Sequence, residues 1–367
     1  MRVEGRGFVD LTESNPTRAG FDYPDDLLAA LSDPSARCYA PTALGAADAR
    51  AAVAREYARQ GLTVSPDRIV LTSSTSDAYS WLFKLLTNAG DDVLVPRPSY
   101  PLFEHLTRLD LVATRAYDLE YHGAWSIDFA SVERAMTAAT RAMLLVTPNN
   151  PTGSFVSRED LDRLAAICAP RGVALVADEV FADYELEPGA ASAAGRVSAR
   201  KDVLSFALGG LSKAVGLPQV KLGWIAVSGS ASIVSDALDR LEVICDAYLS
   251  VSTPAQVAAP SLLQRGAAVR HQIVERVRAN YRALQSAAAA TPSCRALRSD
   301  GGWYAVLQVP TLQPEEDLVV SLLTAAGVLT HPGYFFDFPR ESYLVVSLLP
   351  PPPVFADGID RVLRHVA

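Results

Sequence analysis

SFALGGLSKAVGLPQVKLGW, residues 205–224, sets two lysines eight residues apart in one glycine-rich segment. The chain holds only four lysines, Lys84, Lys201, Lys213 and Lys221, and its remaining cations are arginines. Heavy use of arginine with much alanine reads as a base-composition bias. It lowers the weight of any single arginine and raises that of a retained lysine. Apolar runs flank the segment at 203–207 and 222–227, and both read as buried strands. A lysine amine held between such strands and partly desolvated can form a Schiff base with an aldehyde.

Outward from this segment the pattern alternates. Residues 46–60 and 75–86 read as helices. Residues 68–71, 92–95, 142–146 and 173–177 read as short buried strands, with helices between most of them. This predicts an α/β chain with a large, mostly parallel sheet covered on both faces. Beyond about residue 250 the texture changes. One long helical stretch is expected over 254–288, then a strand at 303–309, a helix at 314–326, strands at 328–330 and 343–348, and a last helix near 358–365. The expected division is an N-terminal arm, 1–38, with a short helix at 25–31, packing with the small domain; a large domain, 39–253; and a smaller C-terminal α/β domain, 254–367.

Composition excludes several function classes. Apolar residues make up 49% and charged residues 20%, as in a soluble globular protein. The net charge is −8 and no run of basic residues occurs, so nucleic acid is not an expected partner. Cys38, Cys168, Cys245 and Cys294 are scattered, which argues against a metal centre or a disulfide framework. The opening MRVEGRGFVDLTESNP lacks a signal-like apolar core, and no run could span a bilayer, so a cytoplasmic protein is expected.

Ligands of parallel α/β sheets bind at the carboxyl ends of strands, and several strands here end in polar groups. The strand at 68–71 runs into Ser73-Ser74-Thr75-Ser76 at a helix start, which is an anion site or simply a cap. PRPSYP follows the strand at 92–95 and holds Tyr100 between prolines, either as a packed ring or as a plate against a flat ligand. TPNNPTG follows 142–146 and places Asn150 before a proline, as a turn residue or as a fixed amide. Asp178 ends the next strand, where a carboxylate needs a cation or donors. An anion site, a stacking ring, an amide, a carboxylate and a desolvated amine together are the parts that bind pyridoxal phosphate (PLP).

The same motifs resemble the class I/II aminotransferases, which are fold type I PLP-dependent enzymes and homodimers. The resemblance runs along most of the chain in the family's order. YAPTALGAADAR implies that Tyr39 reaches the cofactor phosphate of the partner subunit. LTSSTSDA implicates Ser74 and Thr75 in the phosphate cup, and PRPSYPLFE supplies Tyr100 as the ring-stacking residue. NNPTG gives Asn150 for the 3′ oxygen, ADEVF gives Asp178 for the ring nitrogen, and LSK gives Lys213 for the Schiff base and the proton shuttle. Lys221 stands where the family has a phosphate-binding arginine, so a point charge replaces a bidentate fork.

Three departures accompany the match. Phe181 replaces a tyrosine, Gly210 a serine, and Val345, in ESYLVVSLLP, an arginine that clamps the substrate carboxylate. Either another cation takes that role, with Arg18 of the N-terminal arm as the candidate, or the substrate has no carboxylate there. Tyr334, Phe335 and Phe336 of HPGYFFDFP are expected to line the entrance for a neutral or apolar substrate. The implied function is a PLP-dependent aminotransferase acting on an amine or amino acid with a keto-acid acceptor. A PLP-dependent lyase or cyclase is the alternative, and a non-catalytic relative is a third reading.

Overall fold

The computed structural model describes residues 7–249 and 251–367. Eight strands form one sheet: β1 (Ile69–Thr72), β2 (Asp92–Arg97), β3 (Ala113–Tyr121), β4 (Trp125–Ile127), β5 (Thr140–Val146), β6 (Ala174–Asp178), β7 (Ser205–Gly210) and β8 (Gly223–Ser228). Their spatial order is β1-β8-β7-β6-β5-β2-β3-β4. The ladders β7/β6, β6/β5, β5/β2 and β2/β3 are parallel. β8 is antiparallel to both β7 and β1, so β1 runs the same way as β7. The central strands β5–β8 are buried almost throughout, which is why they read as unbroken apolar runs.

The last two strands on one side of the sheet, β3 and the edge strand β4, escaped the sequence reading. In β3, ATRAYDLEY, only Tyr117 and Leu119 are buried. Its other positions are polar or partly exposed, so no apolar run marks it. It is held through its ladder to β2 and by the Arg115–Asp92 ion pair at 2.8 Å. β4 adds antiparallel to it through a short turn at His122–Ala124.

Helix Thr75–Leu86 starts where Ser74 caps it, its side chain accepting the Asp77 N–H at 3.1 Å. Ala78, Tyr79, Leu82 and Phe83 lie on one stripe of it and are buried. The expected single helix over 254–288 is two, Thr253–Arg265 and Ala267–Ala289. Gly266 stands between them because a Cβ there would sit 2.6 Å from both Val215 Cβ and the Leu262 carbonyl oxygen. This close approach seats the helix pair against the segment that follows Lys213.

A second, antiparallel sheet follows, with β9 (Arg295–Ala296), β10 (Tyr304–Gln308), β11 (His331–Pro332) and β12 (Tyr343–Ser347) in the order β9-β10-β12-β11. The last helix, Pro352–Val366, starts earlier than expected, with prolines in its first turn where a missing N–H costs nothing. The N-terminal arm forms a 3-10 turn at Leu27–Ser32 and packs on this part of the chain. Val9–Asp10 pairs in parallel with Val328–Leu329. Ser347 donates its N–H to the Leu11 carbonyl at 2.7 Å and its hydroxyl to that of Glu13 at 2.6 Å.

Candidate active site

Because β1, β2, β5, β6 and β7 are parallel, their carboxyl ends share one rim of the sheet. β8 runs the other way, so its amino end reaches the same rim. A pocket of about 480 Å³ opens there, lined by Ser74, Thr75, Tyr100, Asn150, Asp178 and Lys213 among others. These six sequence-predicted residues come from five different strand ends. Their closeness therefore follows from topology and not from sequence spacing.

Lys213 lies in the short helix Leu211–Ala214 directly after β7. Burial pushes its amine down to about 8, against the charge of Asp178, which favours the ammonium. Nζ sits 4.7 Å from the centre of the Trp303 ring and 5.6 Å from that of Phe181. The Tyr184 hydroxyl donates to the Lys213 carbonyl.

Asp178 ends β6. Burial pushes its carboxyl up to about 6, partly offset by the Val180 N–H, the Tyr79 hydroxyl and the Lys213 charge. The two hydrogen bonds measure 3.1 and 3.3 Å. Asn150 is buried at the end of β5, and its Oδ1 has no hydrogen-bond partner. A buried polar atom left without a partner costs about 1–3 kcal/mol, so this amide is held at a cost beside the pocket that the residue lines.

Ser74 and Thr75 present a helix start to the pocket. Facing them, Gly223 cannot carry a side chain: a Cβ there would lie 2.9 Å from Thr72 Oγ1 and 3.1 Å from the Ser74 carbonyl carbon. Gly210 is similarly confined, at 3.2 Å from the Leu222 carbonyl oxygen. The floor between β1 and β8 thus stays open beside free helix-end N–H groups, an arrangement suited to an anion.

Four sequence-predicted residues do not line this pocket: Lys221, Tyr39, Arg18 and Tyr334. Lys221 is exposed, one residue before Leu222 and Gly223, which do line it. Its φ is 60°, a left-handed conformation that costs a non-glycine residue energy. Tyr39 is 69% exposed and is not among the lining residues. Arg18 is exposed on the N-terminal arm, although Ser14 of the same arm reaches the lining.

The outer wall is aromatic. Tyr304, Phe335 and Phe336 line it with His331, while Tyr334 does not. Val345 is fully buried behind that wall, clustered with Phe336, Phe338, Val306 and Leu297. Among the described residues no arginine lines the pocket, and burial holds the His331 imidazole below its usual value against the charge of Asp10.

Sequence reasoning missed Tyr79, Trp303 and His331. Tyr79 follows Thr75 by one helical turn, so the i, i+4 spacing from the helix start was an available signal. Trp303 and His331 arrive from the second sheet, and no local pattern ties them to Lys213.

Residues 8–350 match the sequence pattern of the family described as aminotransferase class I and II. The chain is 28% identical over 381 residues to an alanine aminotransferase of Mycobacterium bovis, covering 99% of this chain and 86% of that protein. It is 27% identical over 322 residues to human tyrosine aminotransferase, covering 84% and 69%. Among solved structures, an alanine aminotransferase from Pyrococcus furiosus superposes with a TM-score of 0.89 at 22% identity, covering 99% of this chain and 93% of the other. An aminotransferase from Escherichia coli gives 0.87 at 24% identity, covering 99% and 91%.

Proposed function

The chain belongs to the class I and II aminotransferase family and has its fold type I architecture, and from that premise we propose a PLP-dependent enzyme that moves an amino group from an amine or amino acid to a keto acid. One observation carries the reading: a desolvated lysine amine, a half-buried carboxylate and a buried asparagine amide converge on a single pocket.

The residues fit that cofactor. The side-chain NH₂ of Asn150 would donate to its 3′ oxygen, and Asp178, half-buried and with no ion-pair partner among the described residues, suits its protonated ring nitrogen. The Ser74–Thr75 helix start, kept open by Gly223, suits its phosphate. Tyr100 would stack on its ring. Lys221, in its left-handed turn, would pair with the phosphate, and Tyr39 would serve the phosphate of a neighbouring subunit in a homodimer. When bound, PLP supplies an aldehyde for amine exchange and a ring that accepts the electron pair left at the substrate carbon.

The chain's own groups do the rest. Asp178 keeps the ring nitrogen protonated by offering a carboxylate in a poorly solvated place. Lys213 Nζ, with a pKa near working pH, would take a proton from the substrate carbon bearing the amine and hand it to the former aldehyde carbon of the bound cofactor. No group in the pocket favours the lyase or cyclase alternative.

Residues 1–38, 39–253 and 254–367 are proposed as arm, large domain and small domain. The cytoplasm is the proposed compartment: no helix among the described residues is long and apolar enough to cross a membrane, and all four cysteines are free. Incubating the PLP-loaded protein with ¹⁵N-labelled donors and a keto acid tests the activity. Label should appear in the new amino acid; label released only as ammonia would contradict transfer.

A further inference from the structure

The amine of Lys213 faces rings, not a paired carboxylate. Among the described residues Asp178 on β6 is the one charged group that acts on it, and no side-chain hydrogen bond holds Nζ. The hydroxyls packed nearby are already engaged: Tyr184 donates to the Lys213 carbonyl and Tyr79 to Asp178.

Three aromatic side chains form a box beneath the amine. Trp303 meets Tyr184 edge-on at 5.0 Å and Phe181 edge-on at 5.3 Å, while Phe181 and Tyr184 lie 6.5 Å apart. All three are buried. Trp303 is fixed by its backbone from both sides. Its carbonyl accepts the Leu348 N–H at 2.7 Å, and the preceding Gly302 donates to the Tyr184 carbonyl at 2.8 Å. Gly301 before it is forced by close packing, since a Cβ would approach Phe155 and Pro148 at 2.8 Å. The ring is thus brought from the second sheet to the lysine of the first, and Nζ lies within the reach of a cation–π contact.

We propose that Trp303 is a positioning residue whose ring face holds the free ammonium of Lys213, with Phe181 closing the second side and Tyr184 anchoring the backbone below. The proposal rests on the reading of Lys213 as the reacting amine. In a site where no carboxylate pairs with Nζ, the ring gives the ammonium a defined place to wait between proton transfers. Trp303 comes from a different part of the chain than Lys213, so the box also ties the lysine's readiness to the seating of the second sheet on the first.

A chain with four lysines makes a direct test practical. The full-length, cofactor-free protein is produced with ¹³Cε-labelled lysine, the Lys213 signal is assigned by its loss in Lys213→Ala, and its pH titration is followed by NMR. A ring that holds the cation and a ring that merely excludes water predict opposite signs. Trp303→Leu keeps an apolar filling but removes the ring face, so the Lys213 midpoint should fall by about one pH unit, a roughly tenfold loss of ammonium at fixed pH. Trp303→Phe should fall by less. A midpoint that stays or rises in Trp303→Leu overturns the proposal. Should that variant fail to fold, Trp303→Phe decides alone: a midpoint at or above wild type overturns the proposal. Undiminished turnover in Lys213→Ala would instead sink the reading of Lys213 itself, whatever the titration shows.

Discussion

Replacing Asp178 by Asn should make the cofactor-free protein more stable while removing most of its activity. The carboxyl is raised from 3.8 to about 6 by burial, so the folded state pays to ionise it. At 1.36 kcal/mol per pH unit, the rise from 3.8 to about 6 amounts to a penalty of about 3 kcal/mol once both states are ionised. The sign follows from proton counts. Between pH 3.8 and 6 the folded state holds more protons than the unfolded one, so stability falls as pH rises through this window and stays low above it. The gain from Asn is then about 3 kcal/mol at pH 7.5 and about 1 kcal/mol at pH 4.5. For a chain of this length 3 kcal/mol corresponds to about 4 °C in melting temperature. The amide can keep the Val180 N–H bond through its own oxygen and turn its NH₂ towards Tyr79. Thermal melts of both apo proteins at the two pH values, beside assays of the PLP-loaded forms, make the comparison. A lower melting temperature for apo Asp178→Asn at pH 7.5, or undiminished turnover of its loaded form, would refute the argument from a buried, purposely unpaired carboxylate.

Other outcomes follow from the same geometry. Lys213→Ala should lower turnover by more than about a thousandfold while leaving the fold intact, as checked by circular dichroism and steady-state kinetics. With no arginine among the described residues lining the pocket, primary amines should be better donors than the α-amino acids of the same side chain, measured as a ratio of kcat/KM. If amino acids are accepted, Arg18→Ala should raise KM for them and spare the amines; an equal effect on both would remove Arg18 from carboxylate binding. Mixing inactive Tyr39→Phe and Lys213→Ala proteins under conditions of verified subunit exchange should restore part of the activity, because one site of the mixed dimer is then complete; no recovery would count against shared sites.

Much of the site was legible because parallel α/β topology does the gathering. Ser74, Tyr100, Asn150, Asp178 and Lys213 each sit at the carboxyl end of a strand that the sequence marks with an apolar run. Naming the strand ends was therefore enough to bring them together. β3 and β4 were not legible, since strands with few buried positions leave no hydrophobic signature. Trp303 and His331 were hidden for a different reason. They belong to the second sheet, and only the packing of one sheet's loops over the other's rim gives them a role. The break at Gly266 is of the same kind: helix propensity runs through it, and the contact with Val215 that demands a glycine is invisible in one dimension.

The central claim is that Lys213 is the amine that binds the cofactor aldehyde. Reducing the PLP-loaded protein with borohydride fixes that linkage, and peptide mass spectrometry reads its position. A pyridoxyl mass on the peptide containing Lys213, and on no other lysine, is the predicted result. The same mass on Lys84, Lys201 or Lys221, with Lys213 unmodified, would contradict the account.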